Sequence, residues 1–415
     1  MTEVIVDRLG QLGDGIARQG EGAVIVPGGL PGERHRVDGA DFERLSDSPS
    51  RRTPSCPHFG QCGGCTLQHL AEADYLAFKT DLVRTALRKT GARAEILALV
   101  ADTRPCPPAS RRRLSFSAKI ENSSAQIGFL GRASHTFVPI DLCTIAVPAI
   151  IEALPDLRAI AAQVLRGAET ITLLVTACDT GLDIAISAEK EPTPDMLAAL
   201  VRTASRTAFL RISVNGEIVF EREKPLVRLG RVAVAPPPGS FLQAVPAAEA
   251  AMADMVVQHC ARGKRIADLF CGSGTFTFPL AQKANTTGYE SDGAAVRALL
   301  SAGQPSGHKG ITAHERDLFE TPLTARELRA YDTVCLDPPR AGAAQQSEQL
   351  AKSDVQRIAY VSCNPKTFAE DLAVLIAGGY DVTAIQPFDQ FLYAPHVEVV
   401  GLLEKRRPAK RKRIF

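Results

Sequence analysis

"RIADLFCGSGTFTFPLA", residues 265–281, reads as a strand, a glycine turn and a helix in direct succession. Gly272 and Gly274 let a ligand come close to the backbone where the helix begins. The Lys-Ser/Thr that ends a P-loop is missing, so a triphosphate is not favoured. From this stretch to the C-terminus, strands and helices alternate: "TTGYE", helix, "ITAHERD", "YDTVCLDPP", helix, "RIAYVSC", helix, "VTAIQPF" and "VEVVGLLEK". That alternation predicts a doubly wound, mostly parallel sheet, with chemistry gathered at the carboxyl ends of its strands.

Those strand ends carry a consistent set of residues. Glu290 closes "TTGYE", where a carboxylate accepts the two hydroxyls of a ribose. Asp317 follows "ITAHER", within reach of an adenine amino group. Asp337-Pro338-Pro339-Arg340 ends the next strand in a stiffened turn suited to lie against a flat base, and Arg340 stands where amino-group methyltransferases place an aromatic. In "RIAYVSCNPKTF" (357–368), Asn364-Pro365 stops the strand at once, so Cys363 sits on a sharp turn at its carboxyl end, where a bland buried thiol is not expected. Asp389, His396 and Glu398, near the last strand, supply acid–base groups. A nucleoside cofactor beside a cysteine nucleophile suits methyl transfer to a pyrimidine carbon. C5 of uracil is a poor nucleophile until a thiolate adds at C6 and loads its electron density onto C5. A carboxylate then takes the C5 proton, and the base must be flipped out to be reached.

Upstream the pattern changes. Residues 1 to about 48 are short apolar pieces between glycine turns, "VIVDRL", "GIARQ", "GAVIVP" and "RHRV", which predict a small β-barrel. "SDSPSRRTP" (46–54) is a linker, and "LAEADYLAFKTDLVRTALRKTG" (70–91) has helical spacing. Pieces of β type from about 110 to 240 predict an antiparallel α+β domain, bounded by "PPPG" at 236–239.

The 415 residues suffice for two or three domains. The N-terminus shows no apolar signal core, and no apolar run approaches the roughly 18 residues of a membrane span, so a cytoplasmic protein with no membrane partner is expected. Net charge is only +2, but "RRRLSFSAK" (111–119) and the C-terminal "KRRPAKRKRIF" concentrate cations, as a polyanion partner such as nucleic acid requires. Ten cysteines in a cytoplasmic chain argue against disulfides. Cys56-x5-Cys62-x2-Cys65 places three thiols on one glycine-rich loop, with Cys106, Cys143 and Cys178 as candidate fourth ligands. Spacing alone leaves structural zinc and an iron–sulfur cluster both open.

"DLFCGSGTFTFPLA", "DPPRAGA", "YVSCNPKTFAEDL" and "FDQFLYAPHVEVVGLLEK", in that order, resemble the S-adenosylmethionine-dependent RNA uracil-C5 methyltransferases, and "SCNP" is highly specific. The resemblance implies Cys363 as nucleophile and Glu398 as the base, with His396 and Asp389 in support. It implies Gln243 in "SFLQAV", Phe270, Glu290, Asp317 and Asp337 as cofactor contacts. "CGGC" resembles the loop of members that bind a 4Fe–4S cluster, which implies Cys56, Cys62, Cys65 and, in "IDLCTIAVP", Cys143 as ligands. "LGDGIARQGEGAVIVPGGLPGE" resembles the RNA-binding TRAM barrel, and Arg111 and Arg113 fall on a segment that touches RNA. Departures are Thr275 and Val245 for the usual Asn, Ser110 for Tyr, and "LYAPH" for the commoner Pro-His-Thr form.

The implied organisation is α/β: an OB-like TRAM barrel (1–50), a central α+β domain with the iron–sulfur loop (51–240, its helix 70–91 packing on the catalytic domain), a Rossmann-like methyltransferase domain (241–404) and a basic tail (405–415). TRAM plus cluster implies 5-methyluridine formation in 23S ribosomal RNA by a monomer. The alternatives are a transfer-RNA or dual-site enzyme, an N-methyltransferase acting through "DPPR", and a non-catalytic iron–sulfur RNA-binding protein.

Overall fold

The structure, a computed structural model, describes residues 2–20, 22–165, 170–304 and 310–406. The basic tail lies outside the described residues from position 407 onward. Seven strands form the C-terminal sheet: β1 (Arg265–Leu269), β2 (Asn285–Glu290), β3 (Ile311–Glu315), β4 (Thr333–Leu336), β5 (Arg357–Ser362), β6 (Tyr380–Phe388) and β7 (Glu398–Lys405). Their order is β3-β2-β1-β4-β5-β7-β6, and the chain reverses direction across the sheet between β1 and β4. The pairings from β3 to β5 are parallel, whereas β7 runs antiparallel to both β5 and β6.

Successive residues of a strand face opposite ways, so a sheet covered on both sides must be apolar throughout. In β5, Ile358 and Tyr360 join a core with Phe368, Leu372 and Leu375 of the helix Pro365–Ala377. Ala359 and Val361 join the opposite core with Met252 and Val256 of the helix Pro246–Cys260. The first core also takes Val83, Ala86 and Leu87 from the helix Glu72–Lys89, which lies far upstream yet packs on the C-terminal sheet.

The central sheet has seven strands, among them Arg113–Glu121, Thr170–Cys178, Gly181–Ala188 and Arg211–Val214. It departs from the expected all-antiparallel arrangement in one pairing: Gly181–Ala188 and Arg211–Val214 run parallel. The helix Pro194–Ala204 sits between them in sequence and makes the crossover that parallel strands require. The N-terminal strands Thr2–Leu9, Gly15–Gln19, Gly22–Val26, Arg34–Asp38 and Asp41–Arg44 form a separate antiparallel sheet around Val4, Val6, Ala17 and Val26. Its buried Glu33 is held to about pKa 2, against its burial, by hydrogen bonds from Arg51, the Leu30 amide, His35 and the Ser48 amide. Among the described residues, no helix is long and apolar enough to cross a membrane.

Candidate active site

Strand register builds the site. Ser362 of β5 pairs with Val399 of β7, so Cys363, one residue further, comes opposite Glu398, the first residue of β7. The helix that follows is capped by Asn364, whose Oδ1 accepts the Lys366 amide, with Pro365 at the first position. Asn364 Nδ2 and Thr367 Oγ1 also donate to the Arg340 carbonyl, at 2.8 and 3.3 Å. The Asp337–Arg340 turn and the Cys363 turn are therefore fastened together.

Two carboxylates lie beside the thiol. Glu398 is 2% exposed, and burial, then the charge of Asp337, pushes its pKa well above the usual carboxylate range. Burial and the charge of Asp268 raise Asp337 to about 7. Burial pushes the Cys363 thiol up to about 12, with Glu398 and Asp337 adding to the rise and Arg340 opposing it. At rest the thiol is protonated.

A chain of amides joins the carboxylates. Gln243 Nε2 donates to Asp337 Oδ2 at 3.1 Å, and Gln243 Oε1 accepts from Gln390 Nε2 at 2.6 Å. The second N–H of Gln390 goes to Glu398 Oε2. Arg112 supports the chain from the central domain, donating to the Gln243 carbonyl at 3.0 Å and to Glu249 at 2.7 Å. The expected supports of Glu398 make no direct hydrogen bond to it among the described residues. Its bonded neighbour is Gln390, while Asp389 is turned toward Lys79 and Tyr75, and His396 faces a cleft.

At the ends of β1 and β2 lies a second group. Phe270 takes φ +60°, a left-handed conformation a bulky residue adopts only under constraint. Gly272 follows at φ +53°, with open space where a Cβ would stand. Glu290 accepts the Gly272 amide at 3.0 Å and the Asp292 amide at 2.9 Å. Asp317 is exposed; its Oδ1 accepts the Phe319 amide, and the Phe319 ring lies 5.4 Å from that of Phe270. Gln243, Asp337, Cys363 and Glu398 thus form one group, and Phe270, Glu290 and Asp317 another along the same strand ends. Sequence reasoning missed Gln390, within "FDQF". It also missed Asp268, a fully buried β1 residue that accepts from Thr277 Oγ1 at 2.5 Å.

Cys56, Cys62, Cys65 and Cys143 line one small cavity with His58, Phe59 and Gln68. Burial raises the Cys65 thiol to about 12 and raises Cys62 and Cys143 as well. Among the described residues, no group of three or more His, Cys, Asp or Glu side chains has the geometry to hold a metal ion. A cleft of about 520 Å³ opens beside this loop, lined by Arg111, Arg132, Cys65 and His396 among others. Its floor is tied down: the amides of Thr66 and Leu67 donate to the carbonyl of Tyr393, at 2.9 and 3.0 Å.

Residues 315–406 match the model of the tRNA (Uracil-5-)-methyltransferase family. An uncharacterized RNA methyltransferase of Rhizobium meliloti is 44% identical over 414 residues, covering 97% of this chain and 99% of the relative. The 23S rRNA (uracil(1939)-C(5))-methyltransferase of Pectobacterium atrosepticum is 30% identical over 427 residues, covering 96% of this chain and 92% of the relative. The crystal structure of Pyrococcus abyssi tRNA (uracil-54, C5)-methyltransferase in complex with S-adenosyl-L-homocysteine shares the fold. Its TM-score is 0.75 at 24% identity, covering 97% of this chain and 100% of that one. The doubly wound sheet, the motifs at its strand ends and relatives aligned over nearly their whole length agree: the chain belongs to the S-adenosylmethionine-dependent RNA uracil-C5 methyltransferase family.

Proposed function

We propose that the protein methylates C5 of a uridine in 23S ribosomal RNA, with Cys363 as nucleophile and Glu398 as base. The observation that carries this reading is the β5–β7 register, which sets thiol and carboxylate opposite each other. The naming of a 30%-identical relative for 23S rRNA supports the substrate. The cofactor site fits a nucleoside: Gly272 leaves its side open, and Phe270 and Glu290 flank it at adjacent strand ends. There Glu290 would hold the ribose and Phe270 and Asp317 the adenine, with Gln243 and Asp337 toward the reacting end. S-adenosylmethionine, when bound, supplies an electrophilic methyl group for C5.

The protein's own steps follow. Cys363 gives its proton to solvent water and its sulfur bonds C6, moving the C5–C6 π pair toward C5 and O4. Once C5 carries the methyl group, Glu398 takes the C5 proton. The C–H pair re-forms the C5–C6 double bond, the C6–S bond breaks, and the thiolate leaves.

Four thiols around one cavity support a 4Fe–4S cluster held by Cys56, Cys62, Cys65 and Cys143. The resemblance of the "CGGC" loop to that of cluster-binding members favours the cluster over structural zinc. Chemical analysis tests this: iron and acid-labile sulfide in equal amounts are expected, and zinc without sulfide rules the cluster out. In the domain division proposed with it, 1–50 is a TRAM-type RNA-binding barrel, 51–240 carries the cluster, 241–404 performs the transfer and 405–415 is a basic tail.

The deciding experiment mixes the protein with S-adenosylmethionine and 5-fluorouridine-substituted 23S rRNA fragments or tRNA. Fluorine cannot leave as a proton, so a denaturation-resistant adduct on rRNA is expected, and its loss in Cys363→Ala assigns the nucleophile. An adduct on tRNA alone selects the transfer-RNA reading, which the family model's description favours. No adduct on either RNA overturns the catalytic assignment.

A further inference from the structure

Glu398 must accept a proton from one carbon of a flipped base, so its carboxylate has to be aimed as well as ionised. The group that touches it is Gln390, itself 1% exposed, with both N–H bonds committed: one to Glu398, one to Gln243. The Gln390 Oε1 has no partner among the described residues. An amide that leaves its own acceptor idle in order to spend both donors is held there by something else.

What holds it is the preceding residue. Asp389 accepts from Tyr75 at 2.7 Å and from the Lys79 ammonium, which also donates to the Phe391 carbonyl at 2.8 Å. Lys79 and Asp389 have side-chain exposures of 0% and 1%. A buried ion pair contributes little net stability over an apolar pair of the same shape, but it fixes one geometry. On either side of Gln390 the backbone is pinned, by Asp389 before it and the Phe391 carbonyl after it.

We propose that Gln390 is a positioning residue for the proton acceptor Glu398, and that the Lys79–Asp389 pair exists to set Gln390. This rests on the reading of Glu398 as the base. A residue that merely fills space would slow every step or none. One that aims the base slows only the release of the C5 proton, after methyl transfer, so the enzyme stalls as a methylated covalent adduct on ordinary uridine.

The test uses the full-length protein as Gln390→Leu, with methyl-labelled S-adenosylmethionine and unmodified RNA, beside Glu398→Gln. Losing a hydrogen bond to a charged group is expected to lower turnover roughly 10- to 100-fold. A denaturation-resistant, methyl-labelled adduct should accumulate. Unchanged turnover, or lost turnover with no adduct, overturns the proposal. If Gln390→Leu does not fold, Lys79→Met with Asp389→Asn, which leaves no buried charge unpaired, is read by the same two outcomes. Adduct in Glu398→Gln but not in the positioning variants sinks this inference alone. No adduct in Glu398→Gln sinks the assignment of the base.

Discussion

Lys79→Met removes the cation from a fully buried pair and leaves Asp389 with Tyr75. Breaking such a pair from one side costs about 3–5 kcal/mol, because the remaining charge has neither water nor a partner. The loss should depend on pH. Burial already raises the Asp389 pKa, and Lys79 is the largest influence opposing it. Without Lys79 the native carboxyl holds a proton that the unfolded chain gives up above about pH 4. A folded pKa raised in this way costs stability as pH climbs from the unfolded value through the folded one. The deficit is therefore larger at pH 8 than at pH 5. Adding Asp389→Asn removes the stranded charge and should recover most of the loss. Urea denaturation of both variants at the two pH values checks this. A deficit below ~1 kcal/mol, the size of an exposed pair, or one that does not change with pH, would refute the reasoning.

Asp337→Asn should abolish methylation yet stabilise the protein at pH 8 and not at pH 4. The native pKa of about 7 means stability is lost as pH rises from the unfolded value through 7, and urea midpoints measure the difference. Gly342→Ala places a Cβ 2.8 Å from that of Thr367 at φ +80°, so ~1–3 kcal/mol should be lost. Because Thr367 holds the Arg340 carbonyl, kcat should fall more than affinity for S-adenosylmethionine, as steady-state kinetics and calorimetry would show. Arg112→Met strands Glu249 in the interior and should cost roughly 3–5 kcal/mol, recovered by adding Glu249→Leu.

The residues legible in the sequence were those whose signal is local. A glycine turn after an apolar run, a Pro-Pro turn and a cysteine stopped by Asn-Pro each declare a strand end, and strand ends are where α/β sheets work. Residues whose role depends on distant partners were not legible. Lys79, in "YLAFKTDL", sits on a helix where a lysine ordinarily faces water; its burial is set by a carboxylate 310 residues away. The cluster "RRR" at 111–113 reads as one cationic surface, yet Arg112 turns inward to Glu249 and the Gln243 carbonyl. Gln390 carries no charge and no motif weight of its own. Only the meeting of three segments, around 79, 243 and 390, gives it a task.

That separation of 310 residues has a consequence for how the protein is made. At ribosomal speeds of about 5–20 residues per second, Lys79 emerges roughly 15–60 s before Asp389 exists. Throughout that interval Lys79 of the helix Glu72–Lys89 lacks the counter-charge it has in the finished fold. A chain cut short before Asp389 keeps a lysine that must stay wet, and exposes the Val83, Ala86 and Leu87 face that would otherwise be covered. The early helix and the late strands are thus joined by a contact that forms only once almost the whole chain has been made.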